Sequence, residues 1–247
     1  MGSTAIIGDS ERRRMKRFLA GWLFALLLAA GFGQLGRWQL HRAVEKQAML
    51  DRVAKVVRSR SAQPLAALSR ASSDDYAWVA GNGRFVDAPT LLLDNQRHGS
   101  AVGVHVFRVF QPEHGRPLLV DLGWRPLPAD RVLPENDRFD GTYALSGLLM
   151  LPPANGFAMG PPYAVRDHRR WLLTRIDLPA LSIGLKTNLA PRILRLDPAL
   201  PIGYRRDLDV LPNTLPPEKH RGYAVQWFGM AIATLVTALV LSLRRRP

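Results

Sequence analysis

The chain has 247 residues, a net charge of +14 and no cysteine. Without cysteine, disulfides, thiolate metal sites and covalently attached haem are excluded. The positive charge does not indicate a nucleic-acid partner. Many of the cations lie in the two terminal tails, and the others are spread thinly without an aromatic stripe.

A basic tail, residues 1–17, precedes an uncharged apolar stretch, residues 18–36. Such a stretch can cross roughly 30 Å of hydrocarbon as a helix, and it contains no proline that would interrupt one. We therefore predict a first transmembrane helix here. The alternative is a secretory signal peptide, but the apolar run exceeds the usual run of about 7–15 residues in such peptides.

A second uncharged stretch, residues 222–243, predicts a second transmembrane helix, followed by a short basic tail, residues 244–247. The cations of the two tails are Arg12, Arg13, Arg14, Lys16, Arg17, Arg244, Arg245 and Arg246. By the positive-inside rule both tails are cytoplasmic. We expect a multi-pass protein of a bacterial inner membrane, with the lipid bilayer as one partner and the central domain in the periplasm.

The first helix is predicted to continue out of the membrane. Residues 37–60 contain no glycine or proline, and apolar residues recur there at intervals of three to five. Residues 59–64 (Ser-Arg-Ser-Ala-Gln-Pro) end this helix, and residues 65–69 are predicted to form a short one. We assign residues 37–70 to this helical extension.

Residues 71–200 show short strands separated by turns rich in glycine, proline and asparagine. The predicted strands are 76–80, 84–86, 90–94, 102–110, 118–124, 142–150 and 171–176, with a turn at 81–83 (Gly-Asn-Gly). A single helical turn is predicted at 178–183, and a proline-rich return to the membrane at 201–221. Hairpin-length loops favour an antiparallel sheet or small barrel. The predicted fold class is thus membrane α+β: a hairpin of two transmembrane helices with an intervening antiparallel β-sheet or small-barrel domain.

Signatures of catalysis are absent: there is no nucleophile elbow, phosphate-binding loop, zinc-protease motif or dinucleotide fingerprint. We therefore predict that the protein is not an enzyme. Polar and aromatic residues gather instead where the two spans meet the periplasmic surface, and an antiparallel hairpin places them at one depth. They are Arg37, Trp38, Gln39, His41, Arg42, His220, Arg221, Tyr223, Gln226 and Trp227.

These residue types allow two interpretations. In one, the aromatic residues form an ordinary interfacial belt and the arginines extend to the membrane surface, while Gln39 is unremarkable. Only Gln226, a full turn inside the second span, then requires a polar partner. In the other, the cluster is a haem site, with His220 and His41 at the right depth for axial ligands and arginines for the propionates. Close helix approach is predicted at small residues, namely Ala29, Gly33, Gly229 and Ala233.

Both clusters resemble motifs of the Surfeit locus protein 1 family of cytochrome c oxidase assembly factors. The first family motif, G-x-W-Q-x-x-R-x-x-x-K, is matched by Gly36, Trp38, Gln39, Arg42 and Lys46. The second, a histidine followed by Y-A-x-Q-W-F, is matched by His220, Tyr223, Ala224, Gln226, Trp227 and Phe228. Residues 92–96 and 119–126 are similar to the family's core strands. The family usually reads Val-Asn-Arg-Gly-Trp-Val-Pro in the second of these, where this chain has Asp121 and Leu122.

The resemblance implies an assembly factor that binds haem a and aids its insertion into oxidase subunit I. Its partners would be subunit I, haem a synthase or both, and the family's proposed iron ligand corresponds to His220. His41 falls in a variable slot of the motif, and a second ligand there is our own hypothesis. The alternative function is a membrane scaffold that stabilises an oxidase intermediate without binding haem.

Overall fold

The structure is a computed structural model that describes residues 9–65, 76–128, 130–134, 137–153, 160–210 and 215–244, with side chains from residue 11 onward. The chain divides into two compact units: Met1–Met49 with Leu215–Pro247, here called the helical unit, and Leu50–Thr214, here called the β unit. The described helices are α1 (Asp9–Ser59), α2 (Leu178–Gly184) and α3 (Pro217–Arg244). The described strands are β1 (Gln63–Pro64), β2 (Tyr76–Phe85), β3 (Thr90–His98), β4 (Ala101–Pro112), β5 (Leu118–Pro126), β6 (Tyr143–Met150), β7 (Tyr163–Val165), β8 (Arg170–Leu173) and β9 (Ile193–Leu196).

Helices α1 and α3 are both long and apolar enough to cross a membrane. Only 11% and 6% of their most apolar windows are buried within the protein. Core helices of a water-soluble protein would be mostly buried, so these two resemble helices that lipid would cover.

The less exposed residues of α1 follow a seven-residue repeat. Intervals of three and four alternate along residues 22, 25, 29, 32, 36, 39, 43 and 46, each of which is buried or half-buried. This spacing keeps one stripe of a helix in contact with a partner helix. Within the helical unit that partner is α3, on which Pro217, His220 and Ala224 are buried.

Close approach of α1 and α3 occurs at Gly36. A Cβ atom added there would lie 2.7 Å from the ring of Phe228. Close approach was also predicted at Gly33 and Gly229, but the helices are not in close contact at either residue. A Cβ atom at either position would meet nothing within 4 Å. Ala29 lies on the contact stripe, as predicted, and is 8% exposed.

Helix α1 ends where it was predicted to end, whereas α3 begins earlier than predicted. Helix α1 continues past the apolar stretch, as predicted, and ends at Ser59, where Arg60 takes a φ of +41°. The short helix predicted at residues 65–69 lies, beyond Leu65, outside the described residues. Helix α3 begins at Pro217, so residues 217–221 are helical rather than part of an extended return segment. Proline is favourable in a first helical turn because its missing N–H has no intrahelical acceptor there.

The described strands form one sheet in the order β1-β2-β6-β9-β5-β4-β3-β8-β7. Most of the described pairings are antiparallel, as predicted, but β1–β2, β3–β8 and β5–β9 pair in parallel, which was not predicted. Strand β2 pairs with both β6 and β4, so β2, β6, β9, β5 and β4 form a closed ring of pairings. The small barrel stays a prediction, which this ring favours.

The predicted turn at residues 81–83 is also wrong, because β2 runs through it without interruption from Tyr76 to Phe85. Here β2 passes from pairing with β6 to pairing with β4. A Cβ atom on Gly83 would overlap the carbonyl oxygen of Gln111 on β4. Glycine is therefore required for close strand contact at this position, and not for a reversal of the chain.

Adjacent residues on the central strands enter two different core clusters. Leu92, Val120 and Leu194 belong to one cluster, and their neighbours Leu91, Leu119 and Ile193 belong to the other. Side chains alternate across a strand, so these strands are buried on both faces. Strand β9 (Ile-Leu-Arg-Leu) consequently lacks the alternation of polar and apolar residues by which strands were predicted, and it was missed.

A group of charged side chains is enclosed in this sheet around Asp121, which is 1% exposed. One carboxylate oxygen of Asp121 lies 2.9 Å from Nδ1 of His105 and accepts from the Gly123 amide at 2.9 Å. The other lies 3.3 Å from Nε of Arg195. This group, here called the Asp121 cluster, joins β4, β5 and β9 through side chains as well as through backbone pairing.

Candidate functional site

The candidate site lies where α1 and α3 meet, just beyond the apolar stretches of the helical unit. Nδ1 of His220 donates to Oε1 of Gln39 at 2.6 Å. Farther into the apolar stretches, the rings of Phe32 and Trp227 pack with their centroids 5.8 Å apart. The contacts occur in opposite order along the two helices, as two antiparallel chain segments require.

The hydrogen bond to Gln39 decides which nitrogen of His220 is free. Since Nδ1 carries the donated proton, the neutral ring keeps its lone pair on Nε2. The whole residue is 7% exposed, and Nε2 is buried with no hydrogen-bond partner among the described residues. A buried unpaired nitrogen is costly, and such groups are characteristic of ligand sites.

Cationic neighbours favour the neutral form of this imidazole. His220 precedes the apolar stretch of α3, and burial lowers its pKa, with the charges of Lys46 and Arg42 adding to the effect. Nζ of Lys46 donates to the carbonyl oxygen of Leu215 at 2.5 Å, which fixes the chain just before α3. A neutral imidazole is the form that binds a metal ion.

The structure does not bring His41 to His220. His41 is two residues from Gln39, about 200° around the helix, and its side chain is 71% exposed. Nε2 of His41 lies 3.1 Å from Glu45 on the same helix, and Glu45 also accepts from Arg42 at 2.9 Å. The predicted residues of α1 thus separate, since Gln39 faces α3 while Arg37, Trp38, His41 and Arg42 are exposed.

The two glutamines of the motifs, one on each helix, have the opposite environments from those expected from sequence. Gln226, which was expected to require a buried partner, is exposed, whereas Gln39 makes the hydrogen bond to His220. Tyr223 is 40% exposed and Trp227 is half-buried against Phe32. The missed signal was the seven-residue repeat of α1, which includes position 39.

The arrangement suits a single-imidazole ligand better than a multidentate metal centre. Within the described ranges no group of three or more histidine, aspartate or glutamate side chains is placed to hold a metal ion. Nε2 of His220 is instead oriented by a hydrogen bond at Nδ1, as ligating histidines usually are. An axial ligand to a porphyrin iron needs only one such nitrogen.

Comparison with known proteins gives one family. The model of the SURF1 family, the Surfeit locus protein 1 family, matches residues 26–232. The match includes the His220–Gln39 pair and all the described strands. No curated protein matches the chain.

Proposed function

Since the chain belongs to the SURF1 family, we propose that it is a membrane-inserted assembly factor that binds haem a for cytochrome c oxidase. The family is associated with cytochrome c oxidase assembly, and it is an assembly-factor family rather than a known enzyme family. In this proposal the protein aids insertion of haem a into subunit I. It would act with subunit I, haem a synthase or both.

The proposed location is a bacterial inner membrane. Two helices that are apolar and almost unburied support insertion into lipid. The basic residues before α1 and at the end of α3 support cytoplasmic tails by the positive-inside rule. The β unit would then lie in the periplasm, and His220 would lie at the periplasmic surface of the membrane.

The observation that carries the haem proposal is the unpaired Nε2 of His220. It is a lone-pair nitrogen held in a defined tautomer by Gln39, and these properties suit an axial ligand. Bound haem a would supply a redox-active iron, which the protein would hold without reacting. The exposed residues Arg37 and Arg42 would serve its propionates, and the aromatic residues Trp38, Tyr223 and Trp227 would contact its ring.

One observation favours the scaffold as a second candidate function. His220 is only 7% exposed, and its Nε2 is enclosed between the helices. A porphyrin reaches this nitrogen only if α1 and α3 separate locally. A scaffold that holds an oxidase intermediate without haem would need no such movement.

The two functions are separated by absorption spectra of the full chain. The protein is co-expressed with the enzymes of haem a synthesis, purified in mild detergent and compared with His220→Ala. We expect a Soret band in the wild type and its loss in the variant. A wild type without haem that still co-purifies with subunit I would support the scaffold and refute the haem proposal.

Two further histidine variants identify the ligands. His114→Ala, in an exposed loop of the β unit, serves as the matched control and is expected to keep the band. His41→Ala tests the second ligand, because an unchanged Soret band eliminates His41. If haem is equally abundant in the wild type and in His220→Ala, His220 is not the ligand.

Gln39 is proposed as a positioning residue for His220. Gln39→Leu removes the acceptor of the Nδ1 proton, and we expect haem affinity to fall roughly 10–100-fold, as for other partners of ligating histidines. Gln39→Glu keeps an acceptor oxygen and should restore most of the affinity. Haem titration of both variants, with the Soret position recorded, tests this role. Equal affinities of Gln39→Leu and the wild type would contradict it.

A further inference from the structure

A groove of about 570 Å³ runs between the apolar stretches of α1 and α3. It lies toward the N-terminal end of α1 and the C-terminal end of α3, away from the Gln39–His220 pair. Its volume lies in the range of roughly 300–1,000 Å³ that is usual for ligand pockets. Small side chains on both helices make this room. The groove is lined by, among others, Gly21, Ala25, Phe32, Ala233, Thr237 and Ser242.

A second cavity, of about 920 Å³, adjoins the groove toward the N-terminal end of α1. The two cavities share Phe18, Trp22 and Ser242 in their linings. At this junction Nε1 of Trp22 donates to Oγ of Ser242 at 2.9 Å, which connects the two helices. This hydrogen bond therefore borders both cavities, which together are here called the recess.

The two parts of the recess differ in chemistry. The groove is lined mainly by apolar side chains, with Arg17 at one end. The second cavity has three cations, Arg12, Arg14 and Lys16, and a single acid, Glu11. Arg12, Lys16 and Arg17 are exposed and form no ion pair with the part of the chain that the structure describes. An apolar groove that ends at an exposed arginine, Arg17, complements a ligand with a long hydrocarbon chain and an anionic head.

We propose that the groove binds one anionic phospholipid, with an acyl chain among its apolar side chains and the phosphate at Arg17. Basic pockets between transmembrane helices on the cytoplasmic side are known to suit anionic headgroups. The proposal rests on the membrane insertion stated above but not on haem binding. In this proposal Arg17, which precedes the first apolar stretch, has two roles: it contributes to the orientation of the protein and it binds a lipid headgroup.

The acyl-chain part is tested by filling the groove. Gly21 lines it, and a Cβ atom there meets nothing within 4 Å, so Gly21→Leu is accommodated by the fold. Gly31→Leu is the matched control, because Gly31 has equal space but lines neither cavity. The full chain is delipidated in detergent, incubated with phosphatidylglycerol and analysed by native mass spectrometry. We expect Gly21→Leu to lose the retained lipid and Gly31→Leu to keep it.

The headgroup part is tested by charge. The wild type is expected to retain phosphatidylglycerol in preference to phosphatidylcholine with the same acyl chains. Arg17→Gln should lower phosphatidylglycerol retention roughly fivefold, the effect of about one cation near an anionic surface. Arg244→Gln removes a cation that lines neither cavity and should have no effect.

Two results would overturn the lipid site. The first is equal retention of the two lipids by the wild type, and the second is unchanged retention of phosphatidylglycerol in Gly21→Leu. If Gly21→Leu keeps phosphatidylglycerol but loses haem, the groove is assigned instead to the hydrocarbon tail of haem a. Conversely, a wild type that retains phosphatidylglycerol and binds no haem supports the lipid site while refuting the haem proposal. Carbonate extraction of membranes tests insertion separately.

Discussion

Replacing Asp121 with alanine is expected to lower the free energy of unfolding of the β unit by about 3–5 kcal/mol, the usual cost of removing one partner of a buried ion pair. The carboxylate is 1% exposed, and Arg195, which faces it, is 5% exposed. Without Asp121 that buried guanidinium loses the carboxylate with which it pairs, and the Gly123 amide loses its acceptor. Urea denaturation of the full chain in detergent, with hydrogen exchange measured across β5, tests this loss.

Two further variants test whether the loss of stability comes from the buried charge. Asp121→Asn keeps the size of the side chain and an acceptor oxygen while removing the charge, so we expect a smaller loss than for alanine. Asp94→Ala removes a carboxylate that pairs with Arg131, whose side chain is 57% exposed, and such surface pairs contribute about 0–1 kcal/mol. If Asp121→Ala cost no more than Asp94→Ala, the cluster would not stabilise the sheet.

The Asp121 cluster also predicts a pH dependence of stability. Burial by itself raises the pKa of Asp121, but the ion pairs with His105 and Arg195 and the Gly123 amide outweigh it and hold this pKa below its ordinary value. A carboxyl whose pKa is lowered by folding stabilises the protein above its unfolded pKa of about 3.9. That contribution is lost as the pH falls through the folded pKa.

We therefore expect the difference in unfolding free energy between the wild type and Asp121→Asn to decrease as the pH falls below about pH 4. Denaturation curves of both proteins across this range give the difference directly. Other carboxylates titrate in both proteins and cancel in the comparison. A difference that did not change with pH would show that the charge of Asp121 makes no contribution.

The second large effect is expected for Gly36→Leu, which places a side chain where the ring of Phe228 already lies. Overfilled packing usually costs about 1–3 kcal/mol of stability. The distance between the axes of two packed helices is roughly 8–10 Å, and it increases with the size of the side chains at the contact. We expect α1 and α3 to move apart by about 1–2 Å near Gly36. The hydrogen bond between Gln39 and His220, one turn away, should weaken with it.

Spin labels report this separation, and the lack of native cysteine allows them to be placed freely. Labels at Val44 and Val225, which are 64% and 71% exposed, should show a longer and broader distance distribution in Gly36→Leu. Combining Gly36→Leu with Phe228→Ala should restore the wild-type distribution. Gly33→Leu is the matched control, because its side chain enters empty space. An unchanged distribution in Gly36→Leu would refute close packing at this position.

Local sequence signals predicted much of the fold. The apolar stretches correspond to parts of α1 and α3, and the alternating strands correspond to described strands of the β unit. The parallel pairings were not predicted, because the partner of a strand depends on contacts that are distant in sequence. Strand β9 and residues 81–83 were misread for a related reason: burial on both faces and close backbone contact leave no local pattern of their own.

The candidate site was predicted in its residues but not in its arrangement. Residue types and motif resemblance identified His220 and Gln39, yet they gave no reason to prefer Gln39 over Gln226 as the partner of the imidazole. That choice depends on which face of each helix meets the other. The seven-residue repeat of α1 contains this information for position 39, because the repeat continues past the end of the apolar stretch.

The hydrogen bond between Gln39 and His220 joins residues 181 positions apart in the chain. Because a chain is synthesised from its N-terminus, Gln39 emerges long before its partner, and the whole β unit is made between them. The imidazole of His220 therefore acquires its defined tautomer only when the last helix has docked. A nascent or C-terminally truncated chain lacks the site, so the proposed loading with haem must follow completion of the protein.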